Sequence, residues 1–256
     1  MKASVLITNY NNEKYILDCI NSINQQSYKN IEILVNDDNS QDNSTKLIKK
    51  ITNVKLFENK KVTKFYSVNH LSALKNLAKK STGEIIFFLD GDDYFHFEKI
   101  EKIVDSFRNN INCKIIFDYP VYVYENKNIY EKKRNKIFKS YWPYIHPTSC
   151  ISIRKDAIND LFNSISFGNY SNTWMDFRTC IYSNYILKNF IIFKDNLTYY
   201  RQTGTNYSSN YKKYTFNWWK KRLEAHNFFF DFAERNNIKI KRNLDFLVTK
   251  FINLFL

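Results

Sequence analysis

Three carboxylates gather at the end of one apolar run, and these are the residues of the chain best suited to chemistry. Residues 85–93 read Ile-Ile-Phe-Phe-Leu-Asp-Gly-Asp-Asp, so Asp90, Asp92 and Asp93 follow a segment typical of a buried strand. Carboxylates this close together repel one another, and burial disfavours their charged forms. A divalent cation would neutralise them, because hard cations prefer oxygen ligands. The segment therefore predicts a metal site that also holds a phosphate-bearing ligand.

Two more polar clusters follow predicted strands in the same half of the chain. Thr8-Asn9-Tyr10 comes after the apolar run 3–8, and Asp37-Asp38-Asn39-Ser40 comes after the run 31–35. Segments whose apolar residues have helical spacing lie between these runs, and strands that alternate with helices favour a largely parallel sheet. Because ligands bind beyond the carboxyl ends of such strands, we expect the three clusters to meet at one site.

The N-terminal half is predicted to be α/β. Asp42 or Ser40 is expected to cap the second helix, and Gly83 to close the third. The predicted elements are strand Ala3–Thr8, helix Asn12–Gln25, strand Ile31–Val35, helix Asp42–Ile51, strand Val54–Phe57, helix His70–Lys80 and strand Glu84–Leu89.

The second half has weaker periodicity. Two prolines exclude a regular helix over residues 142–147, and residues 132–139 form a basic surface stretch. The predicted elements are strand Cys113–Asp118, strand or hairpin Tyr119–Tyr130, helix Thr173–Tyr185, and one strand or a strand pair over Ile191–Tyr200. Two C-terminal helical faces follow, formed by Trp219, Leu223, His226, Phe230 and Ala233, and by Leu244, Val248, Phe251 and Phe255.

The partner of these C-terminal helices stays open at the level of sequence. Lys and Arg flank both faces, and a basic amphipathic helix with aromatic residues can lie in the interface of an anionic membrane. The same faces can instead pack on the preceding domain or on a second copy in a homodimer. The chain stops on Phe-Ile-Asn-Leu-Phe-Leu, which is compatible with a longer native protein.

Composition narrows the classes of function. The chain has 256 residues and a net charge of +14, but its basic residues are dispersed, so charge alone carries little weight. The GxGxxG and GxxxxGK[ST] motifs are missing, which argues against dinucleotide-dependent hydride transfer and P-loop chemistry. The cysteines lack CxxC spacing, which favours reduced thiols in a cytoplasmic protein without zinc. We expect neither a transmembrane helix nor a signal peptide.

Four segments resemble family 2 glycosyltransferases, which are inverting, nucleotide-sugar-dependent enzymes with the GT-A fold. This resemblance implies a Rossmann-like, mostly parallel sheet flanked by helices, with a C-terminal helical extension. The order and spacing of the segments agree with the family over residues 3–95. The segments are Val5-Leu6-Ile7-Thr8-Asn9-Tyr10-Asn11 with Glu13-Lys14-Tyr15-Ile16, then Leu34-Val35-Asn36-Asp37-Asp38-Asn39-Ser40 with Asp42, then Ala73-Leu74-Lys75-Asn76 with Gly83-Glu84-Ile85-Ile86, and Leu89-Asp90-Gly91-Asp92-Asp93, which matches the DxD motif.

The resemblance implies a donor site for a nucleotide-diphosphate sugar, with a UDP-sugar favoured. Thr8 and Tyr10 would face the nucleotide base, and Asp38 would accept a hydrogen bond from its ring N–H. Asp90 would hold ribose or sugar hydroxyls, with Gly91 beside it.

The resemblance also implies a divalent metal beside the donor phosphates. Asp92 would bind Mn²⁺ or Mg²⁺, a Lewis acid that stabilises the departing nucleoside diphosphate. Lys75 stands where the family usually has arginine, so it would add positive charge without a bidentate fork. Asn69 would approach the donor as well.

Inversion needs one base for the acceptor hydroxyl, and the resemblance assigns this role to Asp176. Trp174 would stack on an acceptor sugar, Arg201 would lie at the diphosphate or the acceptor, and His146 would line the acceptor cleft. A structural role is an open alternative for each, since an aspartate near a helix start is commonly stabilised by the helix dipole.

The resemblance implies an inverting glycosyltransferase that extends a bacterial cell-surface polysaccharide or lipooligosaccharide. Residues 1–210 would form the catalytic domain, with a nucleotide-sugar half (1–110) and an acceptor half (111–210), and residues 211–256 a basic aromatic extension. The protein would be cytoplasmic or peripheral on the inner membrane face. The alternatives are a nucleotidyltransferase acting on sugar phosphates and a non-enzymatic basic nucleic-acid binder, although no RRM, KH or helix-turn-helix signature supports the binder.

Overall fold

The computed structural model describes residues 1–59, 63–130, 142–203 and 211–256, which form one β-sheet with helices on both faces. The strands described are β1 (Ala3–Asn9), β2 (Ile31–Asp37), β3 (Val54–Glu58), β4 (Ile85–Asp90), β5 (Tyr94–Phe95), β6 (Ile115–Tyr124), β7 (Lys127–Tyr130), β8 (Ile151–Arg154) and β9 (Phe190–Arg201). The α-helices described are α1 (Ile16–Asn24), α2 (Ser44–Ile48), α3 (Tyr66–Lys80), α4 (Lys99–Asn109), α5 (Ile158–Ile165), α6 (Met175–Tyr182), α7 (Phe216–Arg235) and α8 (Leu244–Ile252).

The sheet has a parallel half and a mixed half. Its strand order is β3-β2-β1-β4-β8-β6-β9-β5, with β7 paired to β6 as a hairpin. β3, β2, β1 and β4 are parallel, which confirms the parallel sheet predicted for the N-terminal half. β8 runs antiparallel to both β4 and β6. Thr8 pairs with Asn36 on one side and with Asp90 on the other, so the three strands end side by side.

Buried apolar side chains form one core on each face of the sheet. In β1, Leu6 belongs to one core, whereas Val5 and Ile7 belong to the other, as the alternation of side chains along a strand requires. In β4, Phe88 and Phe87 divide in the same way. These strands are therefore buried on both faces, which explains their uninterrupted apolar sequences.

Helix ends differ from the prediction where local turns compete with the helix. α1 begins at Ile16, four residues later than predicted, because Asn11 has a φ of 53° and a turn follows it. α2 is shorter than predicted, and the Asp42 carboxylate accepts the main-chain N–H of Ser44 at 3.0 Å. α3 begins four residues earlier than predicted, at Tyr66.

Gly83 packs against β1 and does not close α3, whose C-cap is Ser81. A Cβ at Gly83 would lie 2.8 Å from the main-chain nitrogen of Ser4, so a larger residue would collide with the strand.

The Glu32 carboxylate accepts hydrogen bonds beside Gly83 from Ser4 Oγ (2.6 Å), Thr82 N (2.5 Å) and Gly83 N (3.2 Å). Burial opposes the ionisation of Glu32, but these hydrogen bonds outweigh it and lower its pKa to about 2.

The second half contains elements that are missing from the sequence prediction. The predicted strand 113–118 continues into the hairpin β6–β7, and β9 matches the single-strand alternative over 191–200. α6 forms the first part of the predicted helix 173–185, and a π-helical turn follows it. α5 and β8 have no predicted counterpart in this half, and neither do β5 and α4 before it. The basic stretch 132–139 lies outside the described residues.

α7 is part of the main core. Its Phe228, Phe229 and Phe232 are fully buried together with residues of the sheet and of α6. Burial of one such side chain stabilises the fold by about 1.5–3 kcal/mol. α8 packs on α7 through Arg222 and Asp245, whose closest atoms are 2.5 Å apart. Among the residues described, no helix combines the length and the apolar character needed to cross a membrane.

A buried ion pair supports the acidic turn after β4. Lys99 Nζ lies 2.8 Å from Asp118 Oδ1, and neither side chain is accessible to solvent. The same ammonium donates to the Ser149 carbonyl (2.7 Å) and to the Thr198 hydroxyl (2.5 Å). Burial raises the pKa of Asp118, although the Lys99 charge opposes the shift. The pair thereby fixes the main chain of Ser149, whose side chain contacts Asp93.

Candidate active site

One serine holds the acidic turn in place. Ser149 Oγ accepts a hydrogen bond from the Asp90 N–H (3.0 Å) and donates one to Asp93 Oδ2 (2.6 Å). Asp93 is fully buried and also accepts the main-chain N–H of Arg201 at 2.9 Å. The protein therefore uses the Asp93 carboxylate to orient the turn, whereas Asp90 and Asp92 stay partly exposed.

The two exposed carboxylates of the turn are electrostatically coupled. Burial, and then the charge of Asp90, raise the pKa of Asp92 to about 7. A cation beside Asp92 would favour its ionised form. Gly91 lies between them, where a Cβ would come within 2.9 Å of Asn12 Nδ2 and 3.0 Å of the Thr8 carbonyl oxygen. The turn approaches β1 too closely for a side chain at this position.

His70 of α3 connects the acidic turn with α6. Its Nε2 lies 2.8 Å from Asp90 Oδ1, and the Thr8 hydroxyl donates to the same oxygen at 2.9 Å. The ring centroid of His70 lies 5.4 Å from that of Trp174. Burial lowers the pKa of His70, but the nearby carboxylates, first Asp90 and then Asp176, outweigh burial and raise it. A contact series therefore runs from β1 and β4 through α3 to the start of α6.

Asp38 and Tyr10, two of the three residues assigned to the nucleotide base, lie at the same edge of the sheet. Asp38 Oδ1 accepts hydrogen bonds from Asn36 Nδ2 (2.8 Å) and Asn59 Nδ2 (3.0 Å). Burial raises the pKa of Asp38, and the bond from Asn59 opposes the shift. Tyr10 is 38% exposed, and its ring packs against Tyr66 with centroids 5.4 Å apart. This edge thus offers a partly satisfied carboxylate and an accessible aromatic ring.

Arg201, the last residue of β9, connects the acidic turn with α1. Its guanidinium donates to the Asp92 carbonyl (3.0 Å) and to Asp18 Oδ2 (2.9 Å). It also lies 5.0 Å from the ring centroid of Tyr15 and 4.6 Å from that of Tyr94. The structure therefore brings Arg201 to the acidic turn, where its charge partly offsets the carboxylates.

Asp176 lies in the first turn of α6, two residues after Trp174, whose ring contacts His70. Its Oδ1 accepts the main-chain N–H of Phe177 at 2.6 Å. Burial raises the pKa of Asp176, the charge of Lys221 on α7 lowers it, and that of Asp90 raises it. Trp174 is the N-cap residue of α6 and contacts His70. The predicted base and the predicted acceptor-stacking residue therefore lie in the same region as the acidic turn.

His146 lies inside an aromatic cluster. Its Nδ1 lies 2.8 Å from the Asp118 carbonyl, and its ring centroid is 4.6 Å from Tyr144 and 4.8 Å from Phe117. Burial lowers the pKa of His146 to about 4, so the side chain is neutral at pH 7. These contacts are those of a structural histidine, and they do not support the predicted role in acceptor binding.

Lys75 and Asn69 of α3 contact residues other than the acidic turn. Lys75 is five residues beyond His70, about 7.5 Å further along the helix axis, and lines a surface cavity with Asn159 of α5. The Asn69 amide donates to the Thr63 carbonyl (2.8 Å) and accepts the Thr63 N–H (2.8 Å). Their predicted roles at the donor receive no support from these contacts.

Comparison with protein families decides the class of this site. A model described as "Glycosyl transferase family 2" matches residues 4–179, more than half of the 256 residues. The chain belongs to glycosyl transferase family 2. The matched range includes the acidic turn, His70 and Asp176, whereas α7 and α8 lie outside it. Asn39, in the Asp37–Ser40 element, has a φ of 61°, which asparagine adopts more readily than most residues other than glycine.

Curated relatives of this glycosyltransferase are bacterial. An uncharacterized glycosyltransferase of Nostoc sp. is 27% identical over 221 residues, which cover 80% of this chain and 66% of the relative. Glycosyltransferase GlyG of Streptococcus pneumoniae is 26% identical over 217 residues, 78% and 70% of the two chains. The Escherichia coli UDP-Glc:alpha-D-GlcNAc-diphosphoundecaprenol beta-1,3-glucosyltransferase WfgD is 32% identical over 126 residues, 49% and 47% of the two chains.

Solved structures identify the fold of the glycosyltransferase as GT-A. S. aureus TarS 1–349 in complex with UDP-GlcNAc superposes with a TM-score of 0.65 at 19% identity, over 89% of this chain and 66% of that one. Mannosyltransferase PcManGT from Pyrobaculum calidifontis, in complex with GDP-Man and Mn²⁺, gives a TM-score of 0.60 at 13% identity, over 97% and 68%. The α/β sheet, its flanking helices and the C-terminal helices agree with the predicted fold class.

The acidic turn fits a metal ion that is shared with a substrate. Among the described residues, no three His, Cys, Asp or Glu side chains are arranged to hold a metal by themselves. Mg²⁺ bound to substrate phosphates typically uses one or two carboxylates and completes its coordination with phosphate oxygens and water. Asp92 is a partly exposed carboxylate in this turn, which fits a ligand of that kind.

Several residues of this region are missing from the sequence prediction. His70 could have been found, because it shares the buried helical face of Leu74 once α3 is extended to Tyr66. No local sequence pattern indicates the contacts of Ser149 and of α7, because Ser149 bonds a residue 56 positions away and Glu224 bonds one 52 positions away.

Proposed function

We propose that this glycosyltransferase is an inverting enzyme that moves a sugar from a nucleotide-diphosphate sugar to a hydroxyl of a glycan or glycolipid acceptor. The contact series from Thr8 and Asp90 through His70 to Trp174 carries the proposal. It joins the donor-side residues of β1 and β4 to the start of α6, which bears Asp176. We assign residues 1–110 to the donor half and 111–210 to the acceptor half, with 211–256 as the extension.

A UDP-sugar is the donor that we favour. The Escherichia coli relative is named for UDP-Glc, and the TarS structure contains UDP-GlcNAc. Asp38 can accept a hydrogen bond from a ring N–H such as that of uracil, and the exposed ring of Tyr10 can pack on the base. Thr8, Asp90 and Gly91 line the adjoining edge, where ribose or sugar hydroxyls would bind.

Asp92 would hold Mn²⁺ or Mg²⁺ together with the donor diphosphate. The metal, when bound, stabilises the negative charge on the leaving diphosphate. Arg201 fixes the turn through the Asp92 carbonyl, and Ser149 fixes it through the Asp90 N–H and the Asp93 carboxylate. The turn is thus preorganised before any ligand binds, which lowers the free energy needed to order it.

Asp176 is the proposed base. The acceptor hydroxyl oxygen attacks the anomeric carbon from the face opposite to the leaving group, and its proton passes to the Asp176 carboxylate. The bond from the anomeric carbon to the diphosphate oxygen breaks, and the nucleoside diphosphate leaves with the electron pair. Burial raises the pKa of Asp176, which makes it a stronger base than a surface aspartate. Positioned general bases typically contribute about 10²–10⁴-fold in rate.

A lipid-linked sugar is the acceptor class that we propose. Two Escherichia coli relatives, WfgD and WfaP, are named for transfer to α-D-GlcNAc-diphosphoundecaprenol, and such acceptors belong to cell-surface polysaccharide synthesis. Trp174 is half-buried beside Asp176, and its ring can stack on the apolar face of an acceptor sugar.

We propose further that α8 docks on an anionic membrane surface, where a lipid-linked acceptor would be present. Leu244 is 75% exposed, Phe251 is 61% exposed and Leu247 is 53% exposed, so this helix presents an apolar face to solvent, and Phe255 just beyond its end is 75% exposed. Exposed cations adjoin that face and complement anionic headgroups: Lys239, Lys241, Arg242 and Lys250. The enzyme would then act from the cytoplasmic side as a peripheral protein.

Vesicle co-sedimentation tests this docking. Vesicles that contain phosphatidylglycerol should bind the protein, vesicles of phosphatidylcholine alone should not, and Phe251→Asp should abolish binding. Ile111→Asp is the matched control, because Ile111 is 68% exposed outside α8. Equal binding by Phe251→Asp and the parent would overturn the proposal, and a dimer in light scattering that Phe251→Asp dissociates would assign the face to a second copy.

A thermal-shift screen of nucleotide sugars with Mn²⁺ tests the donor site. A UDP-sugar with Mn²⁺ should raise the unfolding temperature, because a ligand that binds only the folded state stabilises it. Asp92→Asn should lose the metal-dependent part of the shift, and Asp105→Asn, an exposed aspartate of α4, should keep it. Metal-dependent stabilisation of Asp92→Asn equal to that of the parent would refute the assignment. Pyrophosphate release from UTP and a sugar phosphate would indicate a nucleotidyltransferase instead.

A further inference from the structure

The segment that leads into α6 is bound by α7. The Glu224 carboxylate accepts three hydrogen bonds from two consecutive residues: the Asn172 N–H (2.5 Å), Asn172 Nδ2 (2.8 Å) and the Thr173 hydroxyl (3.0 Å). The Tyr211 hydroxyl donates to Asn172 Oδ1 at 2.8 Å. The main chain is therefore fixed immediately before Trp174, the N-cap residue of α6.

Arg178 of α6 holds the same segment from the interior. Its guanidinium donates to the carbonyls of Thr173 (2.9 Å), Ile165 (2.7 Å) and Tyr170 (2.8 Å), and its side chain is buried. Burial lowers the pKa of Arg178 to about 10, so it is still cationic at pH 7. The segment thus lies between a guanidinium of α6 and the Glu224 carboxylate of α7.

Lys221 lies three residues before Glu224, on the same face of α7. Its side chain is half-buried, and its ammonium lies 4.4 Å from the ring centroid of Tyr211. After burial, Lys221 has the largest effect on the pKa of Asp176, and it lowers that pKa. The ionisable groups that face Asp176 from the surrounding elements are Lys221 of α7, His70 of α3, Asp90 of β4 and Tyr200 of β9.

We propose that Glu224 and Lys221 of α7 are positioning residues for Asp176: Glu224 fixes the segment from which α6 starts, and Lys221, whose ammonium packs on the ring of Tyr211 beside this segment, adds positive charge there. This inference rests on the proposed role of Asp176 as the base. α7 lies outside the range matched by the family model, so the C-terminal segment completes the active site of this chain.

The first test removes the charge of Glu224. In Glu224→Gln, the segment before α6 loses part of its anchorage, and kcat for sugar transfer should fall about 10- to 100-fold. The KM for the donor and the donor-induced thermal shift should stay within about twofold of the parent, because the donor residues do not contact this segment. Glu234→Gln is the matched control, since Glu234 is an exposed glutamate of the same helix.

The second test uses Lys221→Met, which keeps the length of the side chain and removes its charge. Because the Lys221 charge lowers the pKa of Asp176, its removal should move the acidic limb of the pH–kcat profile to higher pH. Lys220→Met is the control, because Lys220 is the exposed neighbour on the same helix, and its profile should match the parent.

The outcomes separate this inference from the proposed function. If the parent shows no transfer, or if Asp176→Asn transfers at the parental rate, the proposed function is wrong. If Asp176→Asn is inactive but Lys221→Met keeps the parental pH profile, only the role of α7 is wrong. A loss of kcat in Glu224→Gln that is matched by an equal loss of donor binding would also overturn the positioning role. If Glu224→Gln does not fold, the Lys221→Met profile decides.

Discussion

Removal of Lys99 should destabilise the protein strongly, because it would leave a charge buried without its partner. Lys99 and Asp118 are both inaccessible to solvent, and their charged atoms are 2.8 Å apart. Loss of one partner of a buried ion pair costs about 3–5 kcal/mol. We expect that loss in Lys99→Met, because Ser149 and Thr198 also lose a hydrogen-bond donor.

The double variant measures the interaction free energy of the Lys99–Asp118 pair itself. Lys99→Met with Asp118→Asn carries neither buried charge, so it should be more stable than Lys99→Met alone by about 1–3 kcal/mol. The assay is guanidinium unfolding followed by far-UV circular dichroism, with the parent, both single variants and the double variant measured together. If the double variant loses as much as the two single variants summed, the charges are not coupled and the reasoning is refuted.

The stability of the Lys99→Met variant should depend on pH, and the direction of that dependence follows from the pKa of Asp118. Burial raises the pKa of Asp118, and removal of Lys99 should raise it further. The folded Lys99→Met variant therefore binds a proton more readily than the unfolded chain, so its stability should increase as the pH falls from about 7 to about 5. A deficit that stays constant over this range would contradict the assignment of the buried charge to Asp118.

Three further predictions concern the supports of the sheet edges. Glu32→Gln should destabilise the fold by about 1–3 kcal/mol above about pH 5. This loss of stability should shrink as the pH falls towards 2, because hydrogen bonds outweigh burial and lower the pKa of Glu32 to about 2. Unfolding measured at several pH values checks this, and a loss that does not change with pH would contradict it. Gly83→Ala should lower the free energy of unfolding by about 1–3 kcal/mol, because its Cβ would lie 2.8 Å from the Ser4 nitrogen; stability equal to the parent would show that β1 can move aside. Arg201→Lys should lower the free energy of unfolding by about 1–2 kcal/mol, because lysine cannot both contact the ring of Tyr94 and make the two guanidinium hydrogen bonds. A thermal unfolding temperature equal to that of the parent would refute the anchoring role.

The parallel half of the fold could be predicted because its strands are buried on both faces. Uninterrupted apolar runs such as 85–89 need no long-range information to be recognised, and polar residues after each run mark the carboxyl edge. The convergence of Thr8 with Asp90 followed from parallel pairing alone, and the hydrogen bond at 2.9 Å confirms it. α4 could also have been predicted, since Ile100, Ile103 and Phe107 have helical spacing and are all buried.

The remaining part of the site depends on contacts that sequence spacing does not encode. His146 is found in a loop typical of a cleft, but its burial between aromatic rings is a property of the tertiary structure. Lys75 and His70 both lie on the predicted helix, yet His70 is the residue that contacts Asp90 of the acidic turn. The hydrogen bonds of Glu224 span about 50 residues and join α7 to the segment that leads into α6, so neither part of the chain alone indicates them.

The most direct test of the central claim is the rate of sugar transfer by Asp176→Asn, measured with a UDP-sugar, Mn²⁺ and a lipid-linked sugar acceptor. This variant should bind the donor as the parent does, with the same thermal shift, but it should transfer sugar about 10²–10⁴ times more slowly. Asp160→Asn, which changes an exposed aspartate in the first turn of α5, should transfer at the parental rate. Transfer by Asp176→Asn at the parental rate would contradict the account.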